Sequence, residues 1–159
     1  MNPGWHRLLP LMLLAACAAT PQMPPNHGPE PAQAAAEPER WRGRQVVWAG
    51  TLVAVHNLAD GSRLEVLAYP RRSNGDPDLD SAPLGRFVAS YPGYLEPLDY
   101  APGRLLSVRG RLAGSETGRA GEAQYQYPLV EAVQLQLLTP SSRSEPRVFF
   151  GIGVGSYRW

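Results

Sequence analysis

The sequence predicts an all-β domain, a small five-stranded OB-like Greek-key barrel with one short helix, with a small open β-sandwich as the alternative. Three observations carry this expectation. Gly (16) and Pro (17) make up about a fifth of the 159 residues, a composition that favours turns over long helices. Apolar residues recur with period two in several short runs. Turn signals separate those runs, and a hydrophobic content of 43% suffices for one modest core.

The first run, residues 45–56 (QVVWAGTLVAVH), is rich in Val, Trp and Thr. Its alternation slips at Gly50, which predicts a bulge there and the bend that a small barrel needs. Asp60-Gly61 is a turn, after which Leu64, Val66 and Ala68 share one face. Asn74-Gly75 and the Asp/Pro run behind it form a loop before a third strand over 85–91. Residues 95–100 hold Glu96-Pro97-Leu98-Asp99, with Pro placed for the first turn of a short helix. Leu106, Val108, Gly110 and Leu112 then alternate with Ser107, Arg109 and Arg111 as a half-buried strand. A Gly-rich hairpin leads into 129–138, where Val133, Leu135 and Leu137 are expected inward and Gln134 and Gln136 outward.

The flanks read differently. Residues 1–16 have a short positive start at Arg7 and an apolar run over 8–16. That run falls short of the ~20 residues needed to span a bilayer and fits the h-region of a secretory signal. It closes on Leu14-Ala15-Ala16-Cys17, which resembles the bacterial lipobox. The resemblance implies recognition of Leu14, Ala15 and Ala16 by the signal peptidase, cleavage after Ala16 and lipid on Cys17. Ala18 in the following position implies sorting to the outer membrane. Residues 17–40 form a lipidated Pro/Ala-rich tether, too poor in large apolar side chains to offset its ordering entropy. The β domain occupies 41–140, and 141–159 form a Gly/aromatic tail.

The composition excludes much chemistry. All 15 Lys+Arg residues are Arg, so no Walker, Schiff-base or Ser–Lys lysine exists. A net charge of +1 argues against a nucleic-acid partner held by charge. The single Cys is consumed by lipid, which removes a Cys–His pair and a zinc site of Cys/His type. His56 is the domain's histidine and reads as a surface residue. Asp76, Asp78 and Asp80 are spaced like the opening of a calcium loop, but Ser81 and Phe87 stand where an EF-hand needs Gly and Glu. No metal, cofactor or catalytic residue is therefore expected. Tyr94, Tyr100, Tyr125 and Tyr127 with Arg109 and Arg111 are the candidate ligand face, of the kind that OB barrels use for polymers. The tail over 148–159 alternates Gly with Ile, Val, Phe and Tyr, which suits strand addition to a partner's sheet edge.

Several ordered blocks resemble the Slp family of starvation-inducible outer-membrane lipoproteins. They are residues 47–51 (VWAGT), 57–70 (NLADGSRLEVLAYP), 85–87, 91–97 (YPGYLEP) and 100–104 (YAPGR). Residues 110–114 (GRLAG), Gly118, Gly121-Glu122 and 125–132 (YQYPLVEA) continue the series. Ala49 stands where the family usually has a second Gly, and Leu138 where it often has Trp. The resemblance implies a non-enzymatic outer-membrane lipoprotein, anchored by membrane lipid through acylated Cys17 and facing the periplasm. The expected work is envelope maintenance under starvation or stress through contact with another envelope component, with the 148–159 tail as the candidate for an envelope protein partner. The alternative is a periplasmic OB-like module that binds an anionic glycan or lipid head group.

Overall fold

The computed structural model describes residues 28–120 and 122–139. The signal segment, Cys17 with Leu14, Ala15 and Ala16, and the 141–159 tail lie outside the described residues. Five strands follow two short helices: α1 (Pro31–Ala36), α2 (Pro38–Trp41), β1 (Gln45–Leu58), β2 (Gly61–Tyr69), β3 (Gly85–Tyr91), β4 (Leu105–Ala120) and β5 (Ala123–Leu138). The strands close into a barrel in the order β1-β2-β3-β5-β4, with β4 returning to β1. The β3–β5 pairing is parallel and the other four are antiparallel. This is the five-stranded Greek-key barrel expected from the sequence.

Period-two alternation builds the interior. Leu64, Val66 and Ala68 of β2 and Leu106, Val108 and Leu112 of β4 point inward and are buried, as expected. Phe87 and Ala89 add the inner face of β3, and Val130 and Ala132 that of β5. The Val-rich start of β1 has a further cause. Val46 and Trp48 face the core, yet Val47 and Ala49 on the opposite side are buried too. A strand covered on both faces reads as a continuous apolar run.

Three register shifts interrupt the ladders, one in the β1–β2 pair and two in the β4–β5 pair, and two of them correct the expected register. The slip in β1 falls between Leu52 and Ala54, not at Gly50. Gly50 stays in register opposite Ala68 and Leu106. It is glycine because a Cβ there would lie 2.1 Å from the Leu67 carbonyl oxygen. In β5, Arg109 pairs with Gln134 and Gly110 with Ala132, so Val133 is the extra residue. Val133 is therefore 70% exposed rather than inward, while Leu135 and Leu137 beyond it pack on the core.

Both ends of the barrel are closed. At the proximal end, where β1 and β3 begin, the segment over 28–40 docks instead of acting wholly as a tether. Pro31 and Ala34 are buried, and the Trp48 indole N–H donates to the Pro29 carbonyl at 3.0 Å. The Gln33 side chain accepts a hydrogen bond from the Glu30 N–H at 3.0 Å, and Pro31 fits the first turn of α1. Small side chains pack closely here and bury little apolar area each, so composition alone reads them as spacer. At the distal end, where β1 and β3 finish, the 92–104 connection inserts Leu95 and packs Tyr100 on the core. The short helix expected there is one turn, with Asp99 and Tyr100 N–H bonded to the Glu96 carbonyl and no continuation.

The Gly-rich hairpin is a long ribbon. β4 and β5 remain paired from Gly114↔Leu129 out to Ala120↔Ala123, well beyond the barrel. The ribbon is tied to the outer face of β2 by the Arg63–Glu116 ion pair at 2.5 Å.

Candidate functional site

The six residues of the expected Tyr/Arg face occupy three separate places. Tyr94 and Tyr100 sit on the distal connection, Tyr94 at 69% exposure and Tyr100 packed on the core. Burial raises the Tyr100 hydroxyl pKa, and the neighbouring Tyr91 and Asp99 push it the same way. Arg109 and Arg111 lie exposed on the outer side of β4, opposite Gln134 and Glu131 of β5. Tyr125 and Tyr127 stack on the ribbon with ring centroids 6.3 Å apart. Tyr127 is a packing residue, 6% exposed. A Cβ at Gly118 would come within 2.2 Å of its ring. Its hydroxyl pKa is raised chiefly by burial and lowered in part by Arg86, which itself pairs with Glu65.

The acidic loop is internally engaged. Arg72 bridges Asp78 at 2.6 Å and Asp80 at 2.9 Å, and Ser81 Oγ donates to Asp78 at 2.6 Å. The Ser81 and Arg72 hydrogen bonds hold the Asp78 carboxyl below its usual range. Among the described residues no group of His, Cys, Asp and Glu is arranged to hold a metal ion. His56 is exposed near the end of β1, opposite Arg63.

The surface that the fold does build is at the distal end. Asn57 Nδ2 donates to the Leu95 carbonyl at 2.9 Å, and Asn57 Oδ1 accepts from the Leu95 N–H at 3.2 Å. The buried Ser62 Oγ lies within hydrogen-bond reach of Asn57 Oδ1 and of the Gly93 carbonyl. This network locks the β1–β2 hairpin to the distal connection. Around it Leu58, Tyr94 and Leu98 stand exposed, Leu98 at 87%. Leu58 also lines a groove of about 400 Å³, together with Arg63, Tyr91, Pro92, Ala132 and Val133. Of this site the sequence reading named Tyr94 and missed the rest. Its available signals were the Asn57 and Gly61 turn chemistry and the apolar Leu98 in a Pro-rich loop. Asn57→Ala removes both bonds to Leu95 and is expected to lower stability by about 1–2 kcal/mol. A shift in the urea midpoint without a change of slope checks this.

The family model described as the outer membrane lipoprotein Slp family matches residues 14–159. The chain belongs to the Slp family. Among Slp-type relatives, the lipoprotein YeaY of Escherichia coli (strain K12) is 26% identical over 153 residues, covering 89% of this chain and 79% of YeaY. The outer membrane protein Slp of the same organism is 26% identical over 130 residues, covering 79% of this chain and 69% of that protein. As a member of the Slp family the chain is a lipid-anchored protein of the outer membrane. No helix among the described residues is long and apolar enough to cross a membrane. The barrel also resembles the small single-stranded DNA-binding protein of Streptomyces coelicolor, with a TM-score of 0.41 and 16% identity over 60% of this chain and 93% of that one. A likeness this distant says nothing about the ligand of the Slp-family chain.

Proposed function

We propose that this Slp-family chain is a non-enzymatic contact module, anchored through acylated Cys17 and facing the periplasm. It maintains the envelope under starvation or stress by engaging another envelope component at the distal end of its barrel. One observation carries the reading: Leu58 at the end of β1 and Tyr94 and Leu98 on the distal connection are each exposed, and Asn57 bonds these two elements together. Exposed apolar groups that share a rigid platform mark contact sites. The filled interior supports the same reading, since the work is then done at the surface.

Photo-crosslinking in intact cells tests it. A crosslinking residue at Leu98 is expected to capture an envelope component, and one at Leu79, in the loop at the opposite end, is not. Equal capture at both positions, or none at Leu98, refutes the reading.

A further inference from the structure

The arginines on the outer side of the barrel fall into two groups. Arg63 of β2 and Arg86 of β3 are each matched by a carboxylate, Arg63 by Glu116 and Arg86 by Glu65, both at 2.5 Å. On the β1–β4 side the arginines are not matched. Arg109 and Arg111 stand exposed on β4, and Arg44, also exposed, directly precedes β1. The Arg44 carbonyl accepts from the Leu112 N–H at 2.9 Å, which sets Arg44 next to Arg111. None of the three has an ion pair among the described residues. Across the ladders Arg111 stands opposite Gln45 and Glu131, and Arg109 opposite Val47 and Gln134. Glu131 is thus the one carboxylate in register with them among the described residues. The result is a cationic strip bordered by neutral Gln45 and Gln134. Arg104, also exposed, precedes the first residue of β4 and lies at the far end of that strand from Arg111.

We propose that this strip rests on the anionic lipid phosphates of the membrane that carries the protein. Three observations favour that partner. The chain is lipid-anchored at the outer membrane, so a layer of phosphates is always within its reach. The strip lies at the proximal end, since Arg44 and Arg111 flank Gln45, the first residue of β1. With the lipid on Cys17, as proposed, that end is the one nearest the membrane. Third, the strip lies on the outer side of paired strands and the groove lies elsewhere, beside Leu58 and Tyr91. An open row of guanidinium forks suits a plane of phosphates better than a single enclosed ligand. Three arginines attract such a surface too weakly to hold a free protein. A tethered domain meets the surface at high effective concentration, so the same weak attraction is enough to orient it. The barrel then lies with its β1–β4 side toward the lipid.

Arginine modification by phenylglyoxal tests the proposal on the full acylated protein reconstituted into vesicles, with each arginine followed by mass spectrometry. In vesicles holding about 30% phosphatidylglycerol, Arg44, Arg109 and Arg111 are expected to react about threefold or more slowly than in phosphatidylcholine alone, and about 0.5 M NaCl should restore their rates. Arg104 should react alike in both. Arg109→Gln/Arg111→Gln changes two exposed positions, so it should keep the melting temperature and remove the protection of Arg44. Four outcomes overturn the proposal: equal rates at the strip in the two vesicles, an equal slowing at Arg104, slowing that persists at high salt, and protection of Arg44 that survives the double variant. Flotation with phosphatidylcholine vesicles reports the lipid anchor by itself, so a failed anchor and a failed strip are read separately. None of these readouts depends on the contact at Leu98.

Discussion

Trp48→Ala is expected to lower the stability of the barrel by about 3–5 kcal/mol, the range for deleting a fully buried large aromatic. The Trp48 ring is 3% exposed and meets Phe87 edge-on at 5.0 Å between centroids. It also joins the barrel to the docked segment through the indole bond to the Pro29 carbonyl. The two roles separate in Trp48→Phe, which keeps most of the apolar volume and removes the donor. That variant should lose less stability than the alanine while loosening the 28–41 segment. Limited trypsin digestion reads the loosening directly, since Arg40 lies in that segment and Arg42 borders it. Unchanged cleavage there in Trp48→Phe would show that the indole bond does not hold the segment.

Cys17→Ser is expected to abolish membrane anchoring outright. Serine keeps the size of the side chain but is a far weaker nucleophile than a thiolate, so acyl transfer to it should fail. Each buried CH₂ of an acyl chain contributes about 0.8 kcal/mol, and two chains are needed for stable anchoring. The variant should therefore accumulate as an uncleaved or mislocalised precursor. Incorporation of labelled fatty acid into Cys17→Ser protein would sink the assignment of Cys17.

Most of the barrel was legible because its strands alternate cleanly. Leu64, Val66 and Ala68, and Leu106, Val108 and Leu112, point inward as their spacing requires. What escaped was whatever depends on a neighbour in space. Gly50 looked like a bulge, but its small size answers to the Leu67 carbonyl across the sheet. Val133 looked inward because alternation does not announce a residue inserted beside it. Pro31 and Ala34 looked like spacer because small side chains show their burial only when a barrel end is set against them. The Tyr/Arg face dispersed for a related reason. Proximity in sequence along a ribbon does not place Tyr127 beside Arg109 when one is buried on the ribbon and the other lies exposed on the outer side of β4. The distal platform was invisible as a site because Asn57, Ser62 and Leu95 meet only through folding.

The docking of the segment from Gly28 onward also sets how far the barrel can roam. Were all of residues 18–40 free, an extended chain would allow about 70 Å of travel. With Pro29 and Pro31 held at the proximal end, ten residues remain between Cys17 and Gly28. The eleven residue steps from Cys17 to Gly28 span at most about 40 Å in any conformation. With the lipid on Cys17, as proposed, the leash enters at the proximal end, so that end would lie within this radius of the lipid and the distal platform at most one barrel length beyond it. On that anchor the domain would search a thin layer against the membrane, where confinement raises its effective concentration toward other membrane-held molecules. A partner that floats free in the periplasm gains nothing from that confinement; one fixed to the same membrane, or reaching down to it, meets the platform again and again.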